Sequence, residues 1–228
     1  MARRCLTTFA ALLALAAASA PAARAELPPQ GVYESCGPGT NGNATCIARL
    51  DRVAQAGFKL VLNYALWYGT AAEIRAYLDA ANARGLKVIA PYNARAWRDG
   101  SDLRNVYRRL ASSCLCLTDA AFRRFAISLV RDHPATWGHY VGDEVNPNER
   151  DLVAKLSSSI RAVDPNRPRL YVALAGQEDP GDQLRPFADV ADVLAIDNYP
   201  IGWGGPPEAI TGPARAAREI AMSAGKEA

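Results

Sequence analysis

Two acidic residues stand side by side at the end of a strand predicted at 137–142. Asp143 and Glu144 leave this strand directly for a loop that contains Pro147. Neighbouring carboxylates repel each other, so one of the two pKa values should rise. A carboxylic acid with a raised pKa can act as a general acid. We therefore predict Asp143 and Glu144 as catalytic residues. The alternative is a pair that caps the next helix or forms surface ion pairs.

Aromatic, amide and acidic side chains follow the other predicted strands. Amides and carboxylates hydrogen-bond sugar hydroxyls, and flat aromatic rings cover the apolar faces of sugar rings. This composition predicts a carbohydrate site at the strand ends. For each tryptophan the alternative is a hydrophobic plug between a loop and a helix. The predicted substrate-binding residues are Asn63, Tyr64, Trp67, Asn93, Trp97, Gln177, Asp197, Tyr199 and Trp203.

Strand and helix patterns alternate along the chain, with no hairpin signal between strands. Such alternation is typical of a parallel sheet covered by helices, either doubly wound or closed into a (β/α) TIM-type barrel. An eight-unit barrel usually needs about 250 residues, so we predict six of the eight units, an incomplete barrel over 26–228. Strands are predicted at 31–35, 58–65, 86–91, 137–142, 169–175 and 192–196, and helices at 45–55, 70–84, 103–110, 120–132, 149–163 and 207–224.

Two segments resemble motifs of the retaining (β/α)8-barrel glycoside hydrolases. The stretch from His133 to Asn146 is similar to their fourth strand, which ends in the acid/base glutamate. The stretch from Asp192 to Ile201 is similar to their sixth-strand motif, and 164–168 also matches that superfamily. The resemblance implies hydrolysis of a poly- or oligosaccharide, with Glu144 as acid/base.

The same resemblance implies that Asp143 replaces the residue beside the acid/base, and that Asp197 and Tyr199 line the site. The nucleophile of these enzymes is a glutamate that ends strand seven, and no position here matches it. The resemblance therefore identifies the chain as a C-terminally truncated member. Glu178 and Asp197 are the acids that could substitute. A non-catalytic carbohydrate-binding barrel is the alternative function.

Residues 1–25 have the features of a secretory signal peptide: Arg3 and Arg4, an apolar run, and Ala23-Arg24-Ala25. A retained membrane anchor is the alternative, although the run is shorter than the roughly 20 residues that span a bilayer. The formal charge of +3 falls to zero without the three leader arginines. We expect a secreted, periplasmic or cell-envelope protein, with no nucleic-acid partner and no membrane partner after cleavage.

Four cysteines remain after the leader, an even number that suggests disulfides in an exported protein. We favour a bridge between Cys36 and Cys46, which leaves Cys114 and Cys116. Two histidines and this cysteine spacing do not predict a metal site. The glycines of 37–42 match a dinucleotide-binding motif, but no acid follows the second strand, so we predict no cofactor. The sequence has no signal for the oligomeric state.

Overall fold

The computed structural model describes residues 30–176, 179, 181–202 and 204–226, so the predicted signal peptide lies outside the described residues. Six parallel strands form one curled sheet in the order β1-β2-β3-β4-β5-β6. A doubly wound sheet would reverse its strand order near the middle, so this alternative is wrong and the partial TIM-type barrel is confirmed. The strands are β1 Gly31–Glu34, β2 Leu60–Asn63, β3 Lys87–Pro91, β4 Thr136–Asp143, β5 Arg169–Leu174 and β6 Val193–Asp197.

Helices connect these strands on the outer side of the sheet. The helix predicted at 103–110 is divided at Tyr107 into two short helices, and a 3-10 turn precedes the last helix, where two prolines stand. The link from β5 to β6 contains a 3-10 turn, Arg185–Phe187. The helices are α1 Asn43–Gln55, α2 Ala71–Ala83, α3 Leu103–Val106, α4 Arg108–Ala111, α5 Asp119–Arg131, α6 Arg150–Val163 and α7 Thr211–Ser223.

The sheet buries apolar side chains on both faces. The larger core lies between strands and helices and includes Val61, Val88 and Val141. A smaller cluster lies inside the curl of the sheet and includes Leu62, Ile89, Tyr140 and Val172. Alternate residues of a strand face opposite sides, which explains why these strands read as nearly continuous apolar runs.

A local sequence signal fixes the start of α2. Thr70 and Glu73 form a reciprocal capping box at the start of α2.

Two disulfides link Cys36 to Cys46 and Cys114 to Cys116, with Cα–Cα distances of 5.5 and 5.3 Å. The first bridge links the loop after β1 to α1.

Among the described residues no helix has the length and apolar character needed to cross a membrane.

Candidate functional site

Three carboxylates lie at the carboxyl ends of two strands. Asp143 ends β4, Glu144 follows it, and Asp197 ends β6. The Glu144 N–H donates to the Val172 carbonyl of β5 at 3.0 Å, which fixes the exit of β4 against its neighbour. Since β5 alone separates β4 from β6, the axes of these two strands lie about 10 Å apart. The active face of a (β/α) barrel is at this edge.

Glu144 has an unusual backbone conformation. Its φ is 47°, the one positive value among the described residues other than glycine. A left-handed conformation costs a residue with a Cβ roughly 1–2 kcal/mol, and such strain concentrates at functional sites. Asp143 and Val145 line an adjacent cleft, whereas Glu144, which lies between them in the sequence, does not.

Two of the acids, Glu144 and Asp197, have raised pKa values. Burial raises the pKa of Glu144, and the charges of Asp197 and then Asp143 raise it further. Burial also raises the pKa of Asp197, against a lowering hydrogen bond from Tyr199. Repulsion between Asp143 and Glu144 alone was predicted from the sequence, whereas burial is the largest cause of the Glu144 shift and Asp197 the stronger of the two charges.

Tyrosine hydroxyls hold two of the acids in place. Tyr64 donates to Asp143 Oδ2 at 3.0 Å, and Tyr199 donates to Asp197 Oδ2 at 3.0 Å. Tyr33 stacks on Tyr64 with the ring centroids 5.6 Å apart and the planes inclined by 13°. Both stacked rings keep exposed surface, 55% for Tyr33 and 41% for Tyr64. They form an aromatic platform beside the acids.

Sequence reasoning missed Tyr33. Burial together with the charges of Asp197 and Asp143 raises the pKa of Tyr33 to about 12, so this phenol faces the acid cluster. The available signal was the two-residue period of β1. Val32 packs on the helix-side core, which directs its neighbour Tyr33 to the inner face of the sheet.

A cleft of about 300 Å³ opens next to the acids. Its wall comes from the ends of β2, β3 and β4 and from the short helix α3. Arg95, which lines the cleft, makes an exposed ion pair with Glu149 through two of its nitrogens. Among the residues that line the cleft, the sequence predicted Tyr64, Trp67, Asn93 and Asp143.

Trp67 and Trp97 are buried, each with 1% of its surface exposed. The Trp67 indole N–H donates to the Pro91 carbonyl, and its ring contacts Trp97 with centroids 5.6 Å apart. Trp97 also packs edge-on against Tyr92 at 4.7 Å. Trp67 borders the cleft with little of its surface, and Trp97 serves as the hydrophobic plug that the sequence left as an alternative.

The two predicted asparagines support the backbone. Asn63 has no exposed surface; it donates to the Cys36 carbonyl at 2.8 Å and accepts from the Ala65 N–H at 3.0 Å. A fully buried amide supports its loop and does not reach a substrate in this conformation. Asn93 is exposed, and its side-chain oxygen accepts from the N–H groups of Arg95 and Ala96. Gln177 and Trp203, with Glu178, lie outside the described residues.

The raised pKa values predict how stability changes with pH. The folded state holds the protons of Glu144 and Asp197 more tightly than the unfolded chain. This contribution is present below the ordinary carboxyl pKa, near 4, and is lost as the pH rises through the raised values. Asp197→Asn should therefore raise Tm at pH 7, with a gain that shrinks towards pH 4 in thermal unfolding followed by circular dichroism.

Asp51→Asn is the matched control with the opposite sign. A hydrogen bond from Arg84 lowers the pKa of the Asp51 carboxyl, so the neutral amide should lower Tm at pH 7 and have less effect in acid. A Tm change for Asp197→Asn that is negative at pH 7, or the same at both pH values, would contradict the assignment of an acid cluster.

Comparison with known proteins gives the fold its context. No protein-family model and no curated protein matches the sequence. Among solved structures, GH5_18 from Streptomyces cattleya in complex with GlcNAc matches at 18% identity over 82% of this chain and 53% of its own, with a TM-score of 0.52. A GH5_18 variant from the same organism, in complex with Manb1-4GlcNAc, matches at 17% identity over 82% and 54%, with a TM-score of 0.51.

A third neighbour is the beta-galactosidase from the psychrophilic Marinomonas ef1, with 11% identity, coverage of 86% of this chain and 47% of its own, and a TM-score of 0.59. The chain thus spans about half the length of the structures it resembles. At these identities the likeness shows the fold alone. The six parallel strands in sequential order and these neighbours together show that the chain has a partial TIM-barrel fold similar to that of these structures.

Proposed function

We propose that this protein is an exported glycoside hydrolase that acts on a poly- or oligosaccharide, with Glu144 as its general acid/base. The observation that carries the proposal is the state of Glu144. It stands on a strained backbone at the carboxyl end of β4, and burial and two neighbouring acids raise its pKa. A carboxylic acid with a raised pKa can donate a proton to the oxygen of a glycosidic bond.

Each part of the acid cluster has a role in this proposal. Glu144 protonates the leaving oxygen as the bond between sugar and oxygen breaks. Burial raises the pKa of Glu144 most, and the charge of Asp197 raises it further. Tyr199 holds the Asp197 carboxylate in position. Asp143, oriented by Tyr64, accepts a hydrogen bond from a sugar hydroxyl. Positive charge that develops on the sugar ring is stabilised by the same carboxylates.

The aromatic platform and the cleft would bind the sugar. A pyranose ring can lie on the exposed, stacked rings of Tyr33 and Tyr64, next to Asp143. The cleft of about 300 Å³ has the size at the lower end of small-molecule sites. Two structural neighbours hold GlcNAc or Manb1-4GlcNAc, which supports a carbohydrate as the ligand class.

Glycoside hydrolysis also needs a second carboxylate, as nucleophile or as base. In the retaining glycoside hydrolases that the sequence resembles, this group is a glutamate at the end of a seventh strand, which would follow α7. Asp197 already has a different part in the proposal, because its charge raises the pKa of Glu144 and Tyr199 holds its carboxylate. The turnover is therefore proposed for the whole protein to which these six strands belong.

A substrate screen tests the proposal. The secreted protein, purified with its natural C-terminus, is assayed against aryl glycosides of the common hexoses, N-acetylhexosamines and uronic acids, and against oligosaccharides. We expect release of the aryl group from at least one glycoside, with the rate falling on the alkaline side as Glu144 ionises. Binding of oligosaccharides in calorimetry without release from any substrate would instead support the carbohydrate-binding barrel.

A further inference from the structure

The two disulfides of the described chain differ in setting. Cys36 and Cys46 are ten positions apart and have no exposed surface. Cys114 and Cys116 are two positions apart, half-buried, in the loop between α4 and α5. Both cysteines pack partly against the core, and Leu115 between them is fully exposed, at 101%, so the outer side of this loop faces solvent.

The short bridge also constrains the chain less. A disulfide stabilises a fold mainly by removing freedom from the unfolded chain, and this effect grows with the number of residues it encloses. A bridge across one residue therefore stabilises the fold only a little. The bridge between Cys36 and Cys46 encloses a whole loop and the start of α1, so it stabilises the fold more. Cys114 and Cys116 are partly accessible whereas Cys36 and Cys46 are fully buried, and thiols reduce accessible disulfides more readily.

The surroundings distinguish the two sulfurs. Cys116 lies just before the N-terminus of α5, a helix of 13 residues with Thr118 as N-cap. Arg104 donates a hydrogen bond to the Cys116 carbonyl at 3.1 Å and forms an ion pair with Asp119 at 3.6 Å. Both the helix N-terminus and the guanidinium stabilise negative charge nearby. Cys114 Sγ lies 3.6 Å from the Ala111 carbonyl oxygen, which disfavours negative charge on that sulfur.

We infer that the Cys114–Cys116 bridge is a thiol–disulfide exchange site, a function separate from glycoside hydrolysis. An incoming thiolate attacks Cys114 Sγ and forms a new S–S bond. The bond to Cys116 breaks, and its electron pair leaves Cys116 as a thiolate that takes up a proton. A second thiol then attacks the mixed disulfide and releases Cys114. The cysteine pair gains two electrons and two protons, and two thiols become a disulfide.

The partner is a thiol on a peptide segment with apolar residues beside its cysteine. Leu115 and Leu117 are exposed by 101% and 86%, more than any other large hydrophobic residue in the described part of the chain. They flank Cys116 on both sides, so apolar residues next to an incoming cysteine would cover them while the sulfurs meet. Exposed aliphatic side chains of this kind mark interaction sites.

The test is a reduction series on the intact secreted protein. The protein is equilibrated with increasing reduced glutathione, quenched in acid and alkylated, and the cysteine peptides are quantified by mass spectrometry. We expect Cys114 and Cys116 to be half reduced at a glutathione concentration at least tenfold below that for Cys36 and Cys46, which serve as the internal control. Reduction of both pairs together, or of Cys36 and Cys46 first, would overturn the inference.

Two variants test the details. Arg104→Gln should slow the opening by glutathione at least threefold, with an unchanged circular dichroism spectrum and an unchanged rate at Cys36 and Cys46. A cysteine peptide with flanking leucines should react faster than one with flanking serines, and Leu115→Ser with Leu117→Ser should remove that difference. An unchanged rate in Arg104→Gln would contradict the role of Cys116 as the leaving thiolate, and equal peptide rates would contradict the apolar partner.

Discussion

Replacing Glu144 by Gln is expected to lower kcat for glycoside hydrolysis by about 10²–10⁴-fold, the contribution that a positioned general acid usually makes. Gln has nearly the same shape and cannot donate the proton in the same way. It also removes the charge coupling to Asp197 without opening a cavity. KM should change by no more than a few fold, since the interaction lost is made chiefly in the transition state.

Glu219→Gln is the control for this substitution. Glu219 is exposed on α7, away from the strand ends, so the change should leave kcat and KM unaltered. Steady-state kinetics on the best aryl glycoside from the screen measures both variants. A kcat for Glu144→Gln within threefold of the unmodified enzyme would remove Glu144 from the mechanism. A rise in KM alone would assign it to substrate binding.

Trp97→Ala should have the largest effect on stability. Trp97 is 1% exposed and contacts Trp67, Tyr92 and Phe122 in the core above β3. Removing a buried indole leaves a cavity and usually costs about 3–5 kcal/mol of unfolding free energy. This is a large part of the 5–15 kcal/mol that typically stabilises a folded protein. Urea unfolding followed by circular dichroism measures the loss.

Tyr33→Ala is the matched comparison for Trp97→Ala. Tyr33 is 55% exposed and stacks on Tyr64, so its removal should cost less than about 1 kcal/mol of unfolding free energy. The same change should weaken oligosaccharide binding, because half of the aromatic platform is lost. If Trp97→Ala weakens binding and leaves stability unchanged, Trp97 contacts the sugar as the sequence first suggested, and the packing assignment is wrong.

The strand and helix pattern was readable from the sequence because each element carries its own signal. Gly57 and Gly85 follow α1 and α2 closely, both with positive φ, and the apolar runs of β2 and β3 match strands that are covered on both faces. Strand order, by contrast, depends on how helices pack across the sheet. The sequence therefore left two arrangements open, and the sequential order of β1 to β6 resolves them.

The acids were predictable, whereas the positions of Trp97 and Tyr33 were not. Asp143 and Asp197 end their strands and Glu144 follows one directly, so their position at the carboxyl edge comes from the strand assignments alone. Whether Trp97 faces the cleft or the core depends on the turn after β3, where Asn93 accepts two backbone N–H groups. Tyr33 required the face of β1 to be known, and a strand of four residues gives little periodicity from which to read it.

The leaving-group dependence of the Glu144→Gln variant tests the central claim most directly. A dinitrophenyl glycoside has a leaving group that departs without a proton, whereas an unactivated alkyl or sugar leaving group needs one. If Glu144 is the general acid, Glu144→Gln should lose about 10²–10⁴-fold of kcat/KM on the unactivated substrate and less than tenfold on the dinitrophenyl glycoside. Equal losses on the two substrates would contradict the assignment of Glu144 as the general acid.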